Sequence, residues 1–302
     1  MDNERIETLL RKLHLRRMSE VFKDWIEQSG RDGRSFGDFL GGLLEEEVAA
    51  RAERRIARLI RQADFPFIAT LEQFDFRLRP ELRRQVFQSY LDPSFVRDGR
   101  ALVMIGTPGL GKTHLAISVG IHMAQRGFDA RYVQVQSLVS RVLGADGIKG
   151  RERVLRPYLK CDVLVLDELG YLTTEAGTGP LLYELIAQRY ERRATIITSN
   201  KSLTEWGRVL SDTALAGALI DRLMHHGDVY YLKGPSYRLK DKTMPTSDDR
   251  GADTASPDPS VNRHVTKANG DNREEMTPNG GHTIPSVQRG KRNVAKSDGS
   301  HV

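Results

Sequence analysis

The feature that most constrains this chain is an eight-residue stretch, residues 106–113, which reads Gly-Thr-Pro-Gly-Leu-Gly-Lys-Thr. It matches the phosphate-binding pattern Gly-x-x-x-x-Gly-Lys-[Ser/Thr] at every fixed position. A short apolar run of strand type, residues 101–105, precedes it, and residues 114–125 follow with apolar residues on one helix face. A strand, a glycine-rich loop and a helix in this order turn backbone N–H groups toward phosphate. The stretch therefore predicts a nucleotide-binding α/β domain.

The residues of this loop have separate expected roles. Lys112 is expected to reach the β- and γ-phosphates of a nucleotide, and the Thr113 hydroxyl is expected to hold Mg²⁺. The glycines allow the backbone to approach the phosphates closely. The predicted nucleotide-binding residues are Gly106, Thr107, Pro108, Gly109, Leu110, Gly111, Lys112, Thr113 and His114.

The rest of the chain is of ordinary soluble composition, with 39% hydrophobic and 28% charged residues. No apolar run is long enough for a membrane span, the N-terminus lacks the order of a signal peptide, and the single cysteine cannot form an internal disulfide. These features predict a cytoplasmic protein. The net charge of +6 arises within residues 66–242, where 25 basic residues oppose 19 acidic ones. This excess would suit a polyanionic partner as well as a nucleotide.

Four regions are expected along the chain. Residues 1–65 predict a small helical domain, residues 66–90 a linker, residues 91–242 the ATPase domain and residues 243–302 a disordered polar tail. The N-terminal helices, with a turn near residues 14–17 and a cap at Ser35, favour a self-contained bundle. They could also pack on another subunit or place arginines on DNA. The linker aromatics Phe65, Phe67, Phe74 and Phe76 suit core packing better than a cover for an adenine ring.

Strands and helices alternate in the ATPase domain, which predicts a parallel sheet with helices on both faces. The five predicted strands are residues 101–105, 130–135, 162–167, 194–198 and 228–232. Between the second and third strands, two short helices carry a basic surface with few opposing carboxylates. Such a charge run is either solvated or follows a phosphate backbone. Its candidate DNA-binding residues are Arg141, Lys149, Arg151, Arg153 and Arg156.

An acidic pair, Asp167 and Glu168, ends the third predicted strand. This is the edge of the sheet where such architectures place ligands. Asp167 is expected to hold Mg²⁺, directly or through water, and Glu168 to act as the general base on the attacking water. GTP is the poorer candidate nucleotide, because Asn200-Lys201-Ser202-Leu203 lacks the carboxylate of a guanine-reading Asn-Lys-x-Asp motif. The predicted substrate is ATP.

Two further residues complete the predicted catalytic set of Glu168, Lys112, Asn200 and Arg222. Asn200 follows the fourth strand, where its amide could hold the attacking water or the γ-phosphate, or serve only as a turn residue. Arg222 lies off the apolar face of the last helix and could stabilise charge at a neighbouring subunit's γ-phosphate. From position alone, an exposed arginine without such a role is the better interpretation.

Taken together, these motifs resemble the AAA+ ATPases, and specifically the IstB branch of transposition helpers related to the DnaC helicase loaders. The resemblance covers residues 1 to about 242, and the stretches 164–171, 196–200, 219–223 and 236–239 are its most characteristic parts besides the loop. It implies that Asn200 is a sensor and Arg222 a finger acting in trans within a homo-oligomer. It also implies ATP-dependent assembly on duplex DNA and a transposase partner.

The resemblance leaves two other functions open. A helicase loader would share every nucleotide motif, and a scaffold that polymerises on DNA would use ATP only as a switch. Beyond residue 238 the polar tail replaces a helical lid, so Arg238 is only a weak candidate for a second sensor.

Overall fold

A five-stranded parallel sheet forms the centre of the computed structural model, which describes residues 2–171 and 177–237. Its strands are β1 (Ala101–Ile105), β2 (Ala130–Gln134), β3 (Val163–Leu169), β4 (Ala194–Ser199) and β5 (Gly227–Tyr231), in the order β2-β3-β4-β1-β5. Every residue of β1 and β4 is buried, as expected for apolar strands covered on both faces. The predicted α/β core with a parallel five-stranded sheet is confirmed.

Helices cover both faces of this sheet. They are α4 (Arg84–Gln88), α5 (Ser94–Arg97), α6 (Lys112–Gln125), α7 (Val135–Leu143), α8 (Gly147–Lys160), α9 (Thr178–Arg189), α10 (Trp206–Val209) and α11 (Thr213–His225). Successive residues of β1 point to opposite faces. Leu102 and Met104 therefore join a core with α6, whereas Val103 and Ile105 join a second core with α7, α9 and α11.

Three helices precede the core: α1 (Asn3–Lys12), α2 (Arg16–Asp32) and α3 (Phe36–Gln62). They enclose a small apolar cluster that includes Leu10, Phe22 and Leu43. The predicted cap is confirmed, since the Ser35 hydroxyl accepts a hydrogen bond from the Asp38 N–H at 3.1 Å. An all-helical N-terminal part is thus confirmed.

The end of α3 packs on the α/β core. Leu59 is buried in the same cluster as α6, and the Tyr132 N–H donates to the Ala63 carbonyl at 2.8 Å. The Arg55 guanidinium donates to the Gly127 carbonyl at 3.1 Å. The first three helices are therefore attached to the core by the last turns of α3. The domain bounds 1–65, 66–90 and 91–242 stay predictions, and the tail 243–302 lies outside the described residues.

Several predicted element bounds differ from the structure. The second predicted strand included Val135, which instead begins α7. The stretch predicted as a linker contains α4, followed by a 3₁₀ turn at Ser89–Leu91. The largest difference is in β3, which continues two residues beyond Asp167. A β-bulge makes this possible: Glu168 has φ of 62° and the β3–β4 register shifts between Leu166 and Leu169.

None of the helices that the structure describes is both long enough and apolar enough to cross a membrane.

Candidate nucleotide-binding site

A cavity of about 490 Å³ lies at the carboxyl ends of β1, β3 and β4. The order of the sheet explains the position, because β4 lies between β1 and β3. Residues at the carboxyl ends of three separate strands therefore meet at one edge, as expected from the sequence. Gly109, Lys112, Asp167, Glu168 and Asn200 all line this cavity.

The glycine loop between β1 and α6 forms one wall. Gly109 and Gly111 have φ of 83° and 89°, which L-residues rarely adopt. Space also demands glycine, since a Cβ on Gly111 would lie 2.6 Å from Phe74 Cε2. Helix α6 then begins at Lys112 without a side-chain cap. Its first N–H groups can accordingly receive the oxygens of a phosphate.

The side chain of Lys112 is folded onto the loop. Only 8% of the residue is exposed, and its Nζ donates to the carbonyls of Gly106 at 2.7 Å and Thr107 at 2.8 Å. Neutral carbonyls are weaker acceptors for an ammonium than phosphate oxygens are. A nucleotide would therefore compete with these carbonyls for the ammonium.

Asp167 is the most enclosed carboxylate of the cavity, with 1% exposure. Its Oδ1 accepts from Thr113 Oγ1 at 2.9 Å and from Thr198 Oγ1 at 2.5 Å. Its Oδ2 accepts from the Tyr132 hydroxyl at 2.8 Å. Burial, and next the Asp167 charge, raise the pKa of Tyr132, so this phenol stays a neutral donor at physiological pH.

Glu168 has a different environment from Asp167. The bulge turns its backbone, and its N–H donates to Thr198 Oγ1 at 3.0 Å. Its carboxylate is half-buried on the cavity wall, where Gln134 Nε2 lies 3.4 Å from Oε2. Three hydroxyl groups thus donate to one carboxylate while its neighbour faces the cavity, so the two carboxylates have different environments.

Asn200 directly follows β4 and lines the same cavity as Glu168. Its Oδ1 is buried and has no hydrogen-bond partner among the residues that the structure describes. A buried carbonyl oxygen without a partner is costly, and at a ligand site it marks a place for a water or a ligand group. The unpartnered Asn200 oxygen can accept a hydrogen bond from a water in the cavity.

These residues fit magnesium ATP. The Thr113 hydroxyl and the Asp167 carboxylate supply adjoining oxygens, which are the ligands that Mg²⁺ prefers. The uncapped start of α6 and the Lys112 ammonium supply positive charge for phosphates, and the unpartnered Asn200 oxygen supplies an acceptor.

The linker aromatics divide between the two roles considered for them. Phe67 is 45% exposed and lines the cavity, next to His114 at a ring distance of 6.4 Å. Phe65 and Phe76 pack against the core, and the buried Phe74 belongs to it. His114 is held in place because its Nε2 lies 3.0 Å from the Thr70 carbonyl oxygen. Of these four phenylalanines, Phe67 is the one that lines the cavity, so it is the one placed to contact a base there.

Some predicted residues do not line the cavity. The side chain of Leu110 is buried in the core, while Gly106 and Thr107 face Lys112 with their carbonyls. Arg222 lies on α11, where its guanidinium rests 4.7 Å from the ring centre of Tyr183 and donates to the Ala218 carbonyl. The structure thus places Arg222 outside the nucleotide cavity of its own chain.

The five candidate DNA-binding residues are all exposed on α7 and α8, which follow directly from the end of β2. Arg141 is oriented by Tyr158, whose hydroxyl accepts from its Nη1 at 2.8 Å. The remaining residues, Lys149, Arg151, Arg153 and Arg156, lie along α8.

Sequence reasoning missed a network around Arg79, which has 0% exposure. This Arg79 network comprises Arg79, Leu110, Pro235 and Tyr237. The guanidinium donates to the Leu110 carbonyl at 3.2 Å and to the Pro235 carbonyl at 2.7 Å, and it stacks 5.1 Å from the Tyr237 ring centre. The Tyr237 N–H in turn donates to the carbonyl of Gly109 at 2.8 Å. The phosphate loop is therefore held between the linker and the segment after β5.

A buried arginine in a linker has no sequence signature of its own. Arg238 lies outside the described residues.

Comparison with known proteins gives a consistent picture. The family model described as IstB-like ATP binding protein matches residues 8–245. A relative from Geobacillus stearothermophilus, named for insertion sequence IS5376 and ATP binding, is 37% identical over 241 residues, covering 80% of this chain and 96% of its own. A relative from Pseudomonas aeruginosa, named for insertion sequence IS21 and ATP binding, is 34% identical over 253 residues, covering 81% and 96%. Among solved structures, the DnaC helicase loader matches 58% of this chain and 99% of its own at 22% identity, with a TM-score of 0.43.

Proposed function

This chain belongs to the family of IstB-like ATP binding proteins, and from that premise we propose that it hydrolyses ATP, assembles on duplex DNA and assists a transposase. The observation that carries the proposal is the convergence of the glycine loop, Asp167, Glu168 and Asn200 on one cavity. The names of the relatives, which refer to insertion sequences, support the transposition context.

Hydrolysis is proposed as phosphoryl transfer to water. Glu168 takes a proton from the attacking water, whose oxygen forms a bond to the γ-phosphorus while the bond to the bridging oxygen of ADP breaks. Asn200 Oδ1 orients that water, and Lys112 leaves its loop carbonyls to neutralise charge on the phosphates. Mg²⁺ held by Thr113 and Asp167 would further neutralise the phosphate oxygens.

Arg222 is proposed to complete the site of a neighbouring copy. Its position outside the cavity of its own chain is what a role at a neighbouring subunit's site requires, and its guanidinium would have to leave Tyr183 to act there. A head-to-tail assembly would bring each Arg222 to the next subunit's γ-phosphate. Loss of such a guanidinium reduces hydrolysis by about 10³-fold or more while ATP binding persists.

A mixing experiment tests the trans arrangement. Lys112→Ala and Arg222→Ala chains are each expected to be inactive, because each lacks one half of the site. In an equal mixture, an interface is complete when an Arg222→Ala chain supplies Lys112 and its Lys112→Ala neighbour supplies Arg222. Random assembly gives this pairing at about one interface in four, so activity should return in part. Arg97→Ala, which removes an exposed arginine on α5, is the matched control and should hydrolyse ATP normally. Failure of the mixture to regain activity would contradict action in trans.

The exposed arginines and lysine of α7 and α8 are proposed to contact the DNA backbone. Neutralising two of them, in the double variant Arg153→Ala and Arg156→Ala, should lower the slope of log affinity against log salt by about 2. The double variant Lys12→Ala and Arg31→Ala removes the same charge from exposed positions on α1 and α2 and should change the slope little.

The deciding measurement is fluorescence anisotropy of labelled DNA, duplex and single-stranded of equal length, at fixed salt with ATP, with ADP and without nucleotide. ATP-dependent binding to duplex is the expected result. Preference for the single strand would replace the proposal with a helicase-loading function. Equal DNA affinity with ATP, with ADP and without nucleotide would contradict coupling between the phosphate loop and the DNA surface. Glu168→Gln that retained full support of transposition would favour an ATP-switched scaffold.

A further inference from the structure

A second group of ligand-forming side chains lies at the amino edge of the sheet, away from the nucleotide cavity. Glu191 follows α9 shortly before β4 begins, and His225 and His226 lie where α11 meets β5. One ligand atom from each of the three lies within 4.8 Å of the others. We propose that this amino-edge triad of Glu191, His225 and His226 binds one divalent transition-metal ion of the zinc class.

The geometry supports a shared ion. Glu191 Oε1 lies 2.7 Å from His226 Nε2 and 3.5 Å from His225 Nδ1. Ligand atoms around a tetrahedral zinc ion, at 2.0–2.2 Å from the metal, lie roughly 3.3–3.5 Å apart. The Glu191–His226 distance must lengthen for an ion to enter, and exposed side chains can make that change without repacking the core.

The chemistry of the donor set selects the ion. Two imidazole nitrogens and one carboxylate oxygen suit Zn²⁺ and similar ions, whereas Mg²⁺ prefers oxygen ligands alone. The Tyr190 hydroxyl lies 2.5 Å from His225 Nδ1, the nitrogen that would bind the ion. This hydroxyl would have to move away from Nδ1 when the ion binds. All three side chains are about half exposed, with 60%, 46% and 48% for His225, His226 and Glu191, so water can complete the coordination.

The site would connect α11, which carries Arg222, to the end of α9, which carries the Tyr183 ring on which Arg222 stacks. His225 and Arg222 lie one turn apart on α11, and Tyr183 and Glu191 belong to α9 and the turn after it. A bound ion would fix the end of α11 to that turn. The expected thermodynamic sign is stabilisation of the folded chain, because the unfolded chain does not hold the three groups together.

The test is titration of the full chain, free of any affinity tag and of bound metal, with Zn²⁺ in a calorimeter. Excess Mg²⁺ is present throughout to occupy oxygen-only sites. One ion per chain is expected at the triad, and visible absorption with Co²⁺ should report nitrogen ligation. The double variant His225→Ala and His226→Ala should lose that ion. Glu191→Gln, which keeps the size of the side chain, should bind about tenfold more weakly or worse.

The matched control is His264→Ala with His282→Ala, which removes two histidines outside the described residues. Melting temperatures without metal identify any variant that fails to fold, in which case Glu191→Gln alone decides. The proposal is overturned if the site variants bind like the wild type, if the control pair loses the ion instead, or if the wild type binds no zinc. Neither ATP nor DNA enters the experiment, so its outcome is independent of the proposed function.

Discussion

Replacing Tyr132 with phenylalanine removes one of the three hydroxyl groups that donate hydrogen bonds to Asp167. Both residues are buried, with 8% and 1% exposure, and their hydrogen bond is 2.8 Å long. Hydrogen bonds to charged groups contribute about 1.5–3 kcal/mol, so we expect Tyr132→Phe to lose about 2 kcal/mol of unfolding free energy. For a domain of about 150–250 residues, this lowers the melting temperature by roughly 4–8 °C.

The pH dependence of this effect has a definite sign. Burial, and next the Asp167 charge, raise the pKa of Tyr132 above its unfolded value, so the folded state favours the protonated phenol. Its stabilisation is complete below a pH of about 10 and declines above that pH, where the unfolded phenol ionises. The difference between wild type and Tyr132→Phe should therefore be constant between about pH 6 and pH 9 and shrink above about pH 10.

The measurement is the melting temperature of the full chain without nucleotide, by calorimetry. Tyr171→Phe is the control, since Tyr171 lines the same cavity but is 52% exposed. A surface change of this kind should alter stability by less than about 0.5 kcal/mol. If the two variants melt within about 1 °C of each other, the Tyr132–Asp167 hydrogen bond does not contribute as the structure indicates.

Three further predictions concern other parts of the chain. Glu47 is a buried carboxylate of α3 that accepts hydrogen bonds from the N–H groups of Arg17 and Met18 in the first turn of α2. Burial alone would raise the pKa of Glu47. Hydrogen bonds from Arg51 and from these N–H groups outweigh burial, so the pKa is lowered. Glu47→Gln should therefore cost about 1–2 kcal/mol at neutral pH, and denaturant titrations should show this difference shrinking as pH falls below about 4.5. Arg79→Lys keeps the positive charge, but a lysine cannot contact the Leu110 and Pro235 carbonyls and also stack on Tyr237. ATP titration should therefore show weaker binding to this variant. Arg77→Lys is the control, because the Arg77 side chain is exposed, and it should bind ATP like the wild type. Asn200→Ala should bind ATP almost normally and lose about 10²-fold in turnover, and equal losses in Kd and kcat would contradict a role in orienting water.

The parts of the site predictable from sequence are those encoded by contiguous residues. The loop of residues 106–113 carries its glycines, lysine and threonine in one pattern, and Asp167 follows an apolar run of the length typical of a buried strand. The bulge at Glu168 was not predictable, because a positive φ at a glutamate leaves no glycine to signal it.

Other contacts depend on the order of the strands, which alternation of strands and helices does not determine. Tyr132 and Thr198 reach Asp167 only because β2 and β4 are the two neighbours of β3. Arg79 and Pro235 are 156 positions apart in the chain, and no local pattern connects them. The bounds of the helices moved by a few residues for a simpler reason, since caps and first turns carry weak signals.

The Arg79 network has a consequence for how the chain can be divided. A fragment cut at the predicted linker boundary, residues 91–242, would contain every motif of the phosphate loop. It would nevertheless lack the guanidinium that holds Leu110 and Pro235, and it would lack Phe67 from the cavity wall. A fragment that keeps these contacts must therefore include Phe67 and Arg79 and extend at least through Tyr237. The motifs alone would define too short a unit, because the loop is also contacted by Arg79, which lies in the linker before the first strand.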